Sequence, residues 1–115
     1  MGSAHAVAVS SGTGGLYMCV VAAGVGAGDL VITSPFSFVA SANVILYQRA
    51  VPVFVDVDET TGNMDLDALR EAAEALERGG IAHSEWLPPR EREWASTGAL
   101  KAVVPVHVFG EPLDR

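Results

Sequence analysis

The chain reads as an α/β fold, a mostly parallel sheet with helices on both faces. Three observations predict it. Short apolar runs alternate with longer helix-patterned stretches, the runs are near-continuous in Val, Ile, Leu and Ala, and clusters rich in Gly, Pro, Ser or Asp close most segments. Strands apolar on both faces need cover on both, and strands separated by helices pair in parallel through right-handed crossovers.

The first run, His5-Ala6-Val7-Ala8-Val9, predicts a buried strand over 6–10 that ends in a Ser/Gly/Thr turn. A helix apolar on every face is expected over 14–23, ended by Gly24, Gly26 and Gly28. Leu30-Val31-Ile32-Thr33 is a second buried strand, stopped at Ser34-Pro35. Residues 38–47 fit a second helix despite their β-branched content. A third strand over 51–58 carries Pro52 near its start, where a missing N–H is tolerated.

Asp65 is expected to cap a helix over 66–78, because Leu66, Leu69, Ala73 and Leu76 fall on one stripe and Gly79-Gly80 follow as a stop. Glu74 and Arg78 stand in the favourable i,i+4 order on that helix. At about 79–98 the chain turns polar, with Pro88-Pro89 and mixed charges around Trp86 and Trp94. This reads as a surface insertion whose tryptophans pack back on their own domain or on a partner. A fourth strand is expected over 100–108, and both ends of the sequence are abrupt, which predicts an incomplete domain.

With 115 residues, half of them hydrophobic, the ceiling is one domain. The formal net charge is −7, and Asp29 and Arg49 are the only charged residues among the first fifty. An acidic chain without a Lys/Arg cluster repels nucleic acid and anionic membranes, which excludes both as primary partners. A phosphorylated small molecule stays open, since backbone N–H groups can hold it. Cys19 is the single cysteine, so no internal disulfide or multi-cysteine zinc site is available, and its apolar run predicts burial. No basic residue precedes the run at 16–25 and it is too short to span a bilayer, so no targeting segment is read and a cytoplasmic setting is expected.

Ser10-Ser11-Gly12-Thr13-Gly14-Gly15 lies where a strand meets a helix N-terminus, a geometry that binds anions. A nucleotide-binding P-loop needs Lys after its last Gly, where Leu16 stands, and the dinucleotide fingerprint fails at Tyr17. A helix cap with glycines chosen for tight packing is the alternative. Asp56 and Asp58 share a strand face, but without a His nearby they read as a strand-end turn, and no metal site is assigned. His107 reads as a hydrogen-bonded core histidine, with a place near a ligand as the alternative.

Five segments succeed one another as one pattern: Gly12-Thr13-Gly14, then Gly28-Asp29-Leu30-Val31-Ile32-Thr33, then Phe36-Ser37-Phe38-Val39-Ala40-Ser41-Ala42-Asn43, then Pro52-Val53-Phe54-Val55-Asp56-Val57-Asp58, then Val104-Pro105-Val106-His107-Val108-Phe109-Gly110. Their order resembles the DegT/DnrJ/EryC1/StrS family of fold type I aminotransferases, which act on nucleotide-linked keto-sugars. The resemblance covers nearly the whole chain. The insertion around Trp86 and Trp94 departs from it, where a shorter link is expected.

The resemblance implies pyridoxal phosphate as cofactor, with Gly12, Thr13 and Gly14 at the phosphate and Phe38 stacked on the pyridine ring. Phe36 competes for that stacking role, and an ordinary core phenylalanine is the alternative reading of Phe38. It further implies that residues 1–115 are part of a cofactor-binding large domain of a homodimeric enzyme using nucleotide-sugar and amino-acid substrates. The chemistry needs a Lys for the Schiff base and an Asp at the pyridine nitrogen, and in the family both follow the strand ending near His107. Lys101 is the only lysine and reads as a solvated surface residue, so no catalytic residue is assigned and the chain alone is expected to be inactive. Three alternatives stay open: a non-catalytic α/β module binding a phosphorylated ligand, an interaction domain using the Trp-bearing loop, and a sugar dehydratase of the same family.

Overall fold

Strand β1, Leu30–Thr33, lies at the centre of the molecule with all its residues buried. The computed structural model of the chain describes residues 2–79, 85–87, 89–95 and 98–113, except the side chains of Glu93 and Trp94. On one side β1 pairs with β2, Val51–Phe54, and on the other with β3, Leu100–Val104, in parallel in both cases. Because side chains alternate across a strand, Leu30 and Ile32 join Val51, Val53 and Val55 in one core cluster, and Val31 enters the opposite one. Helix α3, Leu66–Arg78, covers the first face through Ala72 and Leu76. Helices α1, Gly12–Ala22, and α2, Ala40–Tyr47, cover the second through Val20, Val44 and Ile45. The expected class, a parallel sheet with helices on both faces, is what the structure has. No described helix is long and apolar enough to cross a membrane.

Local chemistry explains the elements that match. Asp65 caps α3 by accepting from the N–H groups of Asp67 and Ala68 at 2.8 and 2.9 Å, a cap worth about 1 kcal/mol. Arg78 reaches Glu74 at 3.8 Å as the spacing predicts, although Leu66, expected on the buried stripe, is exposed and Ala72 takes a place in the core. Helices α1 and α2 pack together, with Gln48 Nε2 donating to the Tyr17 hydroxyl at 2.8 Å and the Tyr17 and Tyr47 rings meeting edge to face. The polar stretch is anchored by α4, Arg92–Ala95, since Leu87 and Ala95 are buried in the first core cluster and Trp86 packs against it. Trp86 thus docks on its own domain, and the docking expected of Trp94 lies outside the described residues.

Several expectations are corrected. Residues 6–10 form no strand, and Val7 is 84% exposed. A strand exists only by pairing, and residues 6–10 pair with neither edge strand, β2 nor β3, so the described sheet has three strands instead of four. The third strand stops at Phe54, short of 58, because β1 gives way to Ser34-Pro35 and supplies no ladder beyond the bond from Val55 N–H to the Thr33 carbonyl. The fourth stops at Val104 and is half-exposed. Helix α2 begins at Ala40 instead of 38, after Ser37 has bonded the Phe38 carbonyl and the Ser41 hydroxyl. Cys19, expected to be buried, is exposed on the side of α1 that no described element covers.

Glycine is required at the turns that lead into β1 and β3. Gly28, with φ +83, donates its N–H to the Arg49 carbonyl and turns the chain into β1. Gly98 leads into β3 so close to that turn that a Cβ on it would overlap the Gly28 carbonyl oxygen. Gly98→Ala is therefore expected to lower the urea midpoint by an amount equivalent to about 1–3 kcal/mol, and an unchanged midpoint would refute the close approach. Val103, on edge strand β3, is 39% exposed, so sedimentation at rising concentration is expected to show self-association that Val103→Lys reduces.

Candidate functional site

The head of α1 is built by Ser11, whose extended backbone lets its hydroxyl accept from Gly14 N–H at 3.1 Å and its carbonyl accept from Gly15 N–H at 3.0 Å. The first N–H groups of any helix lack intrahelical acceptors. Those of Gly12 and Thr13 have no hydrogen-bond partner among the described residues and lie at an exposed surface. No acidic side chain occupies this first turn, and a Cβ at Gly12 would meet nothing within 4 Å. An anion can therefore approach two unpaired donors at the positive end of the helix. The third residue of the predicted set, Gly14, has its N–H committed to Ser11 in this arrangement.

A second feature forms where the parallel strands end. Phe36 N–H donates to the Ser34 hydroxyl at 3.2 Å and Ser37 N–H to the Pro35 carbonyl at 3.0 Å, a tight turn that throws Phe36 and Phe38 outward after β1. Residues 35–38 and 106–109 line a cavity of about 400 Å³ between them. Its place beyond the C-terminal ends of β1 and β3 is where open α/β sheets bind ligands. Gly12, Thr13 and Gly14 are not among its lining residues. Phe38 is 78% exposed and belongs to neither core cluster of this chain. Phe36 instead meets Phe109 edge to face, with ring centroids 6.4 Å apart.

His107 is hydrogen-bonded, its Nδ1 accepting from Leu113 N–H at 2.9 Å, but exposed rather than in the core, because it lies beyond the end of β3 at Val104. That bond leaves the proton of the neutral ring on Nε2. Lys101 is exposed at the irregularity where the register passes from Leu30↔Leu100 to Val31↔Ala102. It belongs to the starting half of β3, whereas the cavity adjoins residues that follow the strand's end.

Asp58 organises a turn, as its position suggested. Its Oδ1 accepts from the N–H groups of Thr60 and Thr61 at 3.0 and 2.9 Å and from both threonine hydroxyls. These bonds, the Thr60 hydroxyl foremost, lower its pKa from 3.8 to about 2. Asn63, at the end of that turn, was missed in the sequence. It is buried and bonded to residues 108, 111 and 112. The signal available was Asp58-Glu59-Thr60-Thr61-Gly62-Asn63, a turn-forming composition that marks the turn but not its distant partners.

This arrangement belongs to the class of parallel α/β domains that receive ligands at strand ends and helix N-termini. The DegT/DnrJ/EryC1/StrS aminotransferase family matches residues 1–114, and the chain belongs to that family. It is 40% identical over 114 residues to the spore coat polysaccharide biosynthesis protein SpsC of Bacillus subtilis, covering 99% of this chain and 23% of the relative. It is 37% identical over 113 residues to the GDP-perosamine synthase of Caulobacter vibrioides, covering 98% of this chain and 24% of that protein. The chain thus spans about a quarter of the length of these relatives.

Among solved structures it resembles a DegT DnrJ EryC1 StrS aminotransferase from Brucella abortus, with a TM-score of 0.70, 32% identity and coverage of 90% of this chain and 23% of the other. It also resembles the ntda protein of Bacillus subtilis, described with bound cofactor PMP, with a TM-score of 0.63, 27% identity and coverage of 91% and 19%. The fold type I relationship expected from the motif order is thereby established.

The Asp58 turn titrates in a defined direction. Its folded pKa lies below the ordinary value, so its stabilising contribution is complete above 3.8 and is lost as pH falls through about 2. Following the Thr60 and Thr61 amide resonances on acidification is expected to give a midpoint near 2, absent in Asp58→Asn. A midpoint at the ordinary carboxylate value would contradict the hydrogen-bonded turn.

Proposed function

We propose that this chain is the phosphate-gripping part of a pyridoxal-phosphate-dependent aminotransferase that moves an amino group from an amino acid to a nucleotide-linked keto-sugar. The observation that carries the reading is the pair of unpaired N–H groups at Gly12 and Thr13, heading an eleven-residue helix in a chain of this family. The names of the two relatives, one a polysaccharide biosynthesis protein and one a GDP-sugar synthase, support the substrate class.

The residues present fit the phosphate end of the cofactor. Gly12 leaves open space, and Thr13 adds a hydroxyl beside its N–H. Phe38 offers an exposed flat face against which a planar heterocycle can stack. When bound, pyridoxal phosphate supplies the electron sink that amino-group transfer requires. This chain's residues bind and orient that group without holding it covalently, since Lys101 belongs to the starting half of β3. The reading includes a cytoplasmic homodimer as the working form of the whole protein, as the family resemblance implies.

Titration with pyridoxal phosphate is expected to shift the Gly12 and Thr13 amide resonances, with the ligand released on dialysis and no turnover by this chain. Thr13→Glu, placing a carboxylate at the anion site, is expected to weaken binding by about 1–2 kcal/mol. Unmoved amides, or covalent attachment at Lys101 after borohydride reduction, would refute the proposal.

A further inference from the structure

Asn63 is 4% exposed and commits its side-chain amide to one distant segment. Its Oδ1 accepts from Val108 N–H at 3.0 Å, and its Nδ2 donates to the carbonyls of Glu111 and Pro112 at 3.2 and 3.4 Å. A buried amide bonded on both its oxygen and its nitrogen defines orientation as well as position. One residue earlier, Gly62 has φ +74, and a Cβ there would stand 3.2 Å from Phe36 Cε1 and 3.6 Å from Val108 Cγ1. The turn at 58–63 therefore touches both walls of the strand-end cavity, residues 35–38 through Gly62 and residues 106–109 through Gly62 and Asn63.

The second wall needs this support. Phe109 is 95% exposed and has φ 53, a left-handed backbone that a bulky side chain adopts only where the surroundings over-determine it. Val108, immediately before it, is buried and donates its N–H to Asn63. Val108 also accepts from Glu111 N–H at 2.9 Å, which closes the turn around Phe109.

We infer that residues 58–63 form a brace that sets the separation of the two aromatic walls, with Asn63 as its positioning residue. The ligand whose fit the brace governs is a planar aromatic ring bearing a phosphate. Asn63 acts on it through Val108 and Phe109. The ligand class rests on the proposed function, whereas the brace rests on the contacts alone.

The test compares the full chain with Asn63→Ala and Gly62→Ala in three measurements: amide exchange at Val108, affinity for pyridoxal phosphate, and affinity for inorganic phosphate. Asn63→Ala is expected to speed exchange at Val108 by at least about tenfold while the β1 amides keep their protection, and to weaken pyridoxal phosphate by about tenfold. Affinity for inorganic phosphate, held at the head of α1, is expected to stay within about twofold, a split that general destabilisation would not produce. Unchanged exchange at Val108, or parallel loss of both ligands, would overturn the brace. If the unsubstituted chain binds no pyridoxal phosphate, the ligand assignment falls, and the Val108 exchange result alone decides the brace. Should Asn63→Ala fail to fold, Gly62→Ala decides it, because an Ala there, strained at φ +74 and crowding Phe36, is expected to shift that wall, lower pyridoxal phosphate affinity and leave inorganic phosphate affinity unchanged.

Discussion

The structure depends on one strand being dry on both faces and paired on both edges. β1 is short, yet Leu30, Val31 and Ile32 feed two separate core clusters, and each full burial of such a side chain contributes about 1.5–3 kcal/mol. Thr33 closes the strand by donating its hydroxyl to the Val104 carbonyl at 3.0 Å, which satisfies a buried polar group and ties β1 to β3 just where both end. Where those two strands stop together, the chain has to turn away twice, and the diverging turns leave the aromatic cavity between them.

The same constraint separates the parts of the site. The turn after β1 produces Phe36 and Phe38, the turn after β3 produces His107 and Phe109, and the N-terminal donors belong to α1 on one face of the sheet. The first turn of α1 contains only Gly and Thr before Gly15, which leaves its N–H donors without competing charge, as the proposed phosphate site requires. The strand-end turns leave Phe38 exposed with no described element packed over it, the flat apolar surface that the proposed ring site requires. Covalent chemistry needs a desolvated amine, which an exposed lysine at a strand irregularity does not supply.

Features that rest on neighbouring residues were legible in the sequence. Helix α3 could be read from Asp65 to Gly79 because its cap, its stripe and its stop all lie within the segment, and β1 could be read because its burial is written in its own side chains. The Ser/Gly/Thr turn that opens α1 was legible through its glycine spacing. What escaped depends on partners far along the chain. Residues 6–10 have the composition of a strand but no described strand beside them, Cys19 has an apolar neighbourhood but an uncovered side, and Asn63 gains its role only from residues 45 and more positions away.

The hydrogen bond between Thr33 and Val104 joins residues 71 positions apart, and that separation orders the assembly of the molecule. β1, α2 and β2 follow one another within residues 30–54, so their contacts close short loops, whereas β3 returns across the span that contains α3. Contacts of high sequence separation form slowly because chain entropy is spent before they are rewarded. The nascent chain thus acquires β1, α2 and β2 before β3. Asn63 is synthesised into the earlier part, and stands as a ready receptor when the segment carrying Val108 arrives.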